Sequence, residues 1–206
     1  MFDENFPHLA VTLFLLWVAL LLMPGPDFIM MLRATVNYGN RHAVATGMGI
    51  TTALGIYIAV VIFGFEFLFK NDIVYKVIKY AGATYLVYIG IGALLSKAHI
   101  ATVKKASDRQ QSIFDSFKQG FVCNILNPKA PVLIASIFSQ LIGTSTSTSW
   151  KLFFGVEMLL TNLLVWGLFP NLIKIGIINR LLVQNIRRVN VTMGIILCVL
   201  GGLVFF

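Results

Sequence analysis

Met23-Pro24-Gly25-Pro26-Asp27 interrupts an otherwise apolar stretch, Leu9–Leu32, and Asn127-Pro128-Lys129-Ala130-Pro131 interrupts another, Phe117–Ile142. Proline has no backbone N–H and its ring clashes with the preceding turn, so each stretch reads as a helix that stops and restarts. In lipid the freed carbonyls need new partners, and such breaks persist where they face protein or a wet cavity. Each break also carries one charge, Asp27 in the first and Lys129 in the second. Interrupted apolar segments at corresponding places in two halves of a chain point to a transporter's binding site.

Composition agrees with a membrane setting. Of 206 residues, 58% are hydrophobic and 12% charged, where a soluble domain carries about 25% charged residues. A net charge of +8 would suggest nucleic acid in a soluble protein. Here the basic residues gather between apolar runs, so topology accounts for them and no nucleic-acid partner is expected. Cys123 and Cys198 lie in separate apolar runs and read as packed thiols, while His8, His42 and His99 fall in loops or at run ends. No metal-ligand spacing and no nucleophile–base arrangement emerges from them, so neither an enzyme nor a cofactor or metal site is expected. The first apolar run exceeds signal-peptide length and lacks a small-residue cleavage site, so it reads as a retained span.

Six runs are long enough to cross about 30 Å of hydrocarbon: Leu9–Leu32, Ala43–Phe69, Ile73–Leu95, Phe117–Ile142, Leu152–Ile173 and Val189–Phe206. The first, third and fifth connections hold Arg33, Arg41, Lys97, Lys104, Lys105, Arg109, Lys118, Lys174, Arg180, Arg187 and Arg188. The opposite side holds only Lys70, Lys76, Lys79 and Lys151. Basic loops stay in the cytoplasm, which puts both termini outside it. The chain thus reads as one all-α transporter domain, 1–206, of six transmembrane helices. Its halves, 1–97 and 117–206, are joined by a charged cytoplasmic linker, 98–116. Ile177–Arg188 alternates apolar and basic positions at helical spacing and reads as an amphipathic surface helix, or else as a basic linker.

Three spans per half make the second half enter the membrane inverted. Pro26-Asp27 recurs as Pro128-Lys129 at an offset of 102, and Gly82 and Gly90 recur as Gly194 and Gly202 at 112. With span parity these favour an inverted 3+3 repeat with helices one and four broken. At about 1.5 Å per residue, Asp27 lies about 27 Å from the outer end of its span and Lys129 about 18 Å from the inner end of its own. Both breaks can therefore line one cavity.

A restarted helix offers N–H groups to an anion, and an ended one offers carbonyls to a cation. An amino-acid zwitterion needs both. Asp27 suits a substrate ammonium or a coupling proton; Lys129, with the helix after Pro128, suits a carboxylate; Asn127 adds a neutral donor and acceptor. A structural Asp27–Lys129 ion pair is the competing reading. Pro24, Gly25 and Pro26 shape the first break. Glu157 in span five reads either as a coupling acid or as a group reaching the outer surface. The glycines of spans two and three allow close helix packing. Trp17, Trp150 and Trp166 read as interface belts or core.

Several of these residues carry a resemblance. Pro24-Gly25-Pro26-Asp27, Gly39-Asn40-Arg41 and Gly49-Ile50-Thr51 open the chain. Ala81-Gly82-Ala83-Thr84-Tyr85-Leu86 with Gly90 follows, then Phe117-Lys118-Gln119-Gly120-Phe121, Asn124 and Asn127-Pro128-Lys129-Ala130. Together they resemble the LysE/RhtB amino-acid exporters over essentially the whole chain. Asp27 within the first motif, Ser136-Ile137-Phe138-Ser139 and the acid at Glu157 are similar to the threonine-exporter branch. Pro131 departs from the pattern and should disturb the start of the following half-helix; Ala53 and Ser139-Gln140 depart too.

The resemblance implies export of threonine or a similar small neutral amino acid, homoserine-type derivatives included, across a bacterial inner membrane. It implies a secondary transporter driven by protons, an antiporter working by alternating access, either as a single chain or as a homo-oligomer. The partners expected are the amino-acid substrate, protons and the lipid bilayer. The alternatives are an exporter of another small solute or ion on the same fold, or a non-transporting membrane subunit.

Overall fold

The computed structural model describes residues 6–68, 72–95, 111–127, 129–142, 146–175 and 185–205. Pro128, most of the 98–116 linker and most of the expected surface helix Ile177–Arg188 lie outside them. Every regular element among the described residues is helical: α1 (Phe6–Leu22), α2 (Pro26–Tyr38), α3 (Asn40–Leu68), α4 (Asp72–Leu95), α5 (Ile113–Ile125), α6 (Lys129–Ile137), α7 (Thr148–Lys174) and α8 (Ile186–Gly202). A π-helical turn, Phe138–Ile142, extends α6, and a 3₁₀ turn, Leu203–Phe205, ends α8.

The first and fourth apolar runs are broken where the prolines placed the breaks. The α1–α2 pair bends by 64° and the α5–α6 pair by 63°. Helix α5 begins four residues before the expected Phe117, because Ser112 caps it: its Oγ accepts from the Asp115 N–H at 3.0 Å and donates to the Asp115 carboxylate at 2.7 Å. Such a cap satisfies orphan donors of the first turn. Pro131 does not disturb α6 as expected. It occupies the third position of the helix, within the first turn, where backbone N–H groups have no intrahelical acceptor to lose. Between α2 and α3 the chain turns on Gly39 alone, at φ 84°, a left-handed conformation that glycine adopts without steric cost.

Helices α3, α7 and α8 are each long and apolar enough to cross a membrane, and each bent pair counted as one span raises the number to five. The remaining expected span, the third, Ile73–Leu95, falls on α4, 24 residues long with Asp72, Lys76 and Lys79 near its start. Apolar side chains such as Phe63 on α3, Tyr88 on α4 and Leu164 on α7 are exposed on the outer faces, as lipid contact requires.

Helix α3 is the hub. It runs parallel to α5: His42 Nδ1 lies 2.8 Å from Ser116 Oγ, Thr46 and Gly49 meet Gly120 and Phe117, and the Tyr57 hydroxyl donates to the Ile125 carbonyl at 2.6 Å. It runs antiparallel to α7, where Gly47 meets Trp166, Gly55 meets Leu159, and Gly155 meets Ile58. Helices α4 and α8 form a second antiparallel pair through Gly90 against Gly194, Val87 against Cys198, Ala83 against Gly201, and Tyr80 stacked on Phe205. Gly202, the expected repeat counterpart of Gly90, has nothing within 4 Å of its Cβ position. The buried core divides in two. One part joins α1, α3, α4, α6, α7 and α8, and the other joins α2, α3 and α7.

Candidate functional site

The two breaks meet. Helix α2 restarts at Pro26, where the missing N–H costs nothing, and the Gly25 carbonyl accepts from the Ile29 N–H at 2.9 Å. That geometry places Asp27 in the first turn of α2, at the positive end of its dipole. The Asp27 carboxylate accepts from Asn124 Nδ2 at 2.9 Å and from the Cys123 thiol at 3.6 Å, both on α5. In the second break the chain turns at Asn127, whose N–H donates to the Asn124 carbonyl at 3.0 Å. The Asn127 side-chain oxygen accepts the Lys129 N–H at 3.1 Å and so caps the start of α6. The Lys129 side chain then crosses to the first break: its Nζ lies 3.4 Å from Met23 Sδ and faces Gly25.

The arrangement is reciprocal. The acid of the first half is held by α5 of the second, and the base of the second half reaches the end of α1 in the first. Asp27 and Lys129 nevertheless form no ion pair among the described residues. The acid binds an amide and a thiol, and the ammonium sits over a thioether.

Both groups line one cavity of ≈ 50 Å³. A water needs about 10–15 Å³ on this measure, so the space suits a few waters rather than a bound solute. Its polar wall is Asp27, Asn124, Asn127, Lys129 and Asn162; its apolar wall includes Leu20, Leu54, Leu133 and the rings of Trp17 and Trp166. Asn162 is tied to α3, since its Oδ1 accepts from the Thr51 hydroxyl at 2.9 Å. Three buried polar atoms on the lining residues lack hydrogen-bond partners: Nε1 of Trp17, Nε1 of Trp166 and Oδ1 of Asn124.

Of the site residues expected from sequence, Gly25, Pro26, Asp27, Asn127 and Lys129 line the cavity, and Pro24 lies between two lining residues, Met23 and Gly25. Pro128 is outside the described residues. Glu157 is not among the lining residues; it is partly buried on α7, with Oε2 shielded and unpartnered. Sequence reasoning missed Asn124 as a partner of Asp27, although its spacing three residues before Asn127 puts both on one helical face. It also read Cys123 only as a packed thiol, and read Trp17 and Trp166 as interface belts or core without placing them at the cavity. Among the described residues no group of three or more His, Cys, Asp or Glu comes together to hold a metal.

Comparison with known proteins assigns the chain. Residues 18–206 match the family described as LysE type translocator. An uncharacterised membrane protein of Bacillus subtilis, YrhP, is 27% identical over 73% of this chain and 75% of its own. The homoserine/homoserine lactone efflux protein of Salmonella typhimurium is 35% identical over 59% of this chain and 58% of its own. The threonine efflux protein of Escherichia coli is 26% identical over 77% and 78%. No solved structure matches the chain. With a family match across nearly its whole length and apolar bent helices built for lipid, the chain is a membrane translocator, not an enzyme, and belongs to the LysE type translocator family.

Proposed function

We propose that this protein exports small neutral amino acids of the threonine and homoserine type across a bacterial inner membrane, as a proton-coupled secondary transporter. The observation that carries the reading is the reciprocal pair of breaks, which presents a carboxylate and an ammonium to one cavity with no direct ion pair between them. A zwitterion supplies the complementary charges. Its ammonium goes to Asp27 with Asn124, and its carboxylate goes to Lys129 and the start of α6, where helix-terminal N–H groups favour an anion. Charged groups at this depth are costly unless they work, and both are ascribed here to substrate and coupling.

The similarity to efflux proteins named for homoserine and for threonine supports the substrate class. The parallel α3–α5 packing and the antiparallel α3–α7 and α4–α8 packing have the directions that six successive crossings give, which supports the inverted 3+3 repeat. The small cavity suits an occluded or empty stage of alternating access. The distribution of basic residues supports termini outside the cytoplasm. Asp27 is the first choice for the coupling proton; Glu157, off the cavity, is the second.

The test is counterflow and gradient-driven efflux of labelled threonine and homoserine from proteoliposomes, with native protein and Asp27→Asn. Gradient-dependent efflux that disappears in the variant supports the reading. Native protein that moves no amino acid in either direction overturns it, and hands the fold to another solute or to a non-transporting subunit. Efflux that is untouched by Asp27→Asn removes the acid from the site.

A further inference from the structure

We infer that Asn124 is a positioning residue for the coupling proton: its carboxamide holds Asp27 in both protonation states, donating from Nδ2 to the carboxylate and accepting at Oδ1 from the acid. The inference rests on the proposed role of Asp27 in proton coupling and names the group that receives the bound proton's hydrogen bond.

Asn124 lies in the last turn of α5 and is 3% exposed. A carboxylate only accepts, so the amide nitrogen faces it, and Nδ2 donates to Asp27 Oδ2 at 2.9 Å. The Cys123 thiol donates to the other oxygen at 3.6 Å. These neighbours suit an ionised acid. A protonated one carries an O–H and needs an acceptor, and a thiol sulfur accepts only weakly. Of the three carboxamides on the cavity wall, Asn127 already accepts from the Lys129 N–H at 3.1 Å and Asn162 from the Thr51 hydroxyl at 2.9 Å. Asn124 Oδ1 accepts nothing among the described residues, and it is shielded from water. Native interiors rarely leave such an oxygen without a donor.

Oδ1 and Nδ2 sit on one planar group, so a side chain bonded to one is adjacent to the other. The terminal torsions of Asn and Asp are broad and roughly two-fold, and rotation of either brings an acid O–H to Oδ1. The ionised pair then has one charge-assisted bond. The neutral pair has two ordinary ones, from N–H to acid oxygen and from O–H to amide oxygen. A charge-assisted bond is roughly twice as strong as a neutral one, so the clasp holds at similar strength in both states. In the proposed cycle the substrate ammonium and the proton compete for Asp27. The proton arrives from the outer side, displaces the ammonium, and leaves to the cytoplasm when the site reopens there. Asn124 keeps the neutral acid in place during that substrate-free return. The titratable groups that act on Asp27 are Cys123 of α5 and Lys129 of α6. Among the described residues, α1, α3 and α7 bring no ionisable side chain to the cavity wall.

The experiment is pH-difference infrared spectroscopy of the native chain in proteoliposomes, with asparagine isotope-labelled at the side-chain carbonyl, beside Asp27→Asn and Asn124→Leu. Acidification should raise an acid band that Asp27→Asn lacks. With it, one amide carbonyl band, absent from Asn124→Leu, should move to lower wavenumber, as a carbonyl does on accepting a bond. In Asp27→Asn that band should stay in place. An Asn124 that only donates predicts the opposite movement, because Nδ2 then loses a charged acceptor. An amide band that stays or rises while the acid band appears overturns the inference and leaves the proposed function intact. No acid band over the pH range of gradient-driven efflux overturns both the inference and the coupling role of Asp27. In transport, Asn124→Leu should lower gradient-driven threonine efflux about three- to tenfold more than threonine exchange at equal pH, the value of about one hydrogen bond. Exchange returns loaded with substrate and skips the neutral acid. Equal losses in both assays make Asn124 a substrate ligand alone and overturn the inference. Should Asn124→Leu fail to fold, Asn124→Ser, which also lacks the carboxamide, assigns the amide band and the infrared result decides.

Discussion

The glycine seams of α3 and the cavity that α3 lines with Leu54 solve opposite problems. Along the seams, backbones touch. A methyl group on Gly49 would strike the Phe117 carbonyl, and one on Gly120 would strike that of Thr46. At the cavity, Asp27 and Lys129 share a wall without a direct ion pair, and three polar atoms of lining residues have no partner among the described residues. Van der Waals contact and small residues hold membrane helices together, because lipid gives no hydrophobic drive between them. The seams supply that contact. They frame the cavity, whose charged groups the proposed function assigns to a solute. The difference teaches where substitutions should fail by unfolding and where they should fail by silence.

The largest effect is expected at the seam. Gly49→Ala or Gly120→Ala forces a Cβ into a neighbouring backbone, which cannot rotate away as a side chain can. Overpacking costs about 1–3 kcal/mol and more where backbone must move, so both variants should lose most of the monodisperse protein seen by size-exclusion of detergent extracts. Gly92→Ala is the counterpart: nothing lies within 4 Å of its Cβ, and the variant should behave as native. Normal yield from Gly49→Ala would break the distinction between seam and cavity.

Next come the charges. Asp27→Asn keeps size and the neighbourhood of Asn124 but removes the charge, so the folded yield should stay near native while threonine efflux falls about 10- to 100-fold, the value of a charge-assisted hydrogen bond of about 1.5–3 kcal/mol. Lys129→Met should raise the apparent KM about tenfold or more with little change in thermal stability, since among the described residues the one hydrogen bond of Nζ is to Met23 Sδ. A large loss of stability in either variant would turn the site into a structural polar core.

The smallest effect sharpens the boundary. Thr51 lies between seam and site, donating to Asn162 at 2.9 Å. Thr51→Val removes that bond at constant shape, and interhelical bonds in membranes average about 0.6 kcal/mol. A thermal-shift assay should therefore register only a slight loss, while transport falls by less than about threefold if Asn162 merely needs steadying.

Much of this was legible before any coordinates. Prolines at 24, 26 and 128, with one charge each side, had to break two apolar helices, because a missing N–H and a ring clash are properties of the residue itself. The apolar runs and the glycine-rich helices followed from composition alone. The register of packing did not. Gly194 packs on Gly90 and Gly201 on Ala83, and no glycine pattern states these partners, because the face a helix turns to its neighbour rotates by about 100° with each residue. Pro131 looked disruptive until the helix start proved to be Lys129, two residues earlier.

The amino-acid order by itself determined an all-helical membrane chain with two charged breaks. Only the tertiary structure decided that Asp27 answers to Asn124, 97 positions away, that Lys129 crosses to Met23, and that Trp17 and Trp166 line the same cavity as both. Breaks are local and follow from the chemistry of one or two residues. Partners across helices depend on how each helix is rotated and how closely its small residues let it approach, and those are settled by all the helices at once.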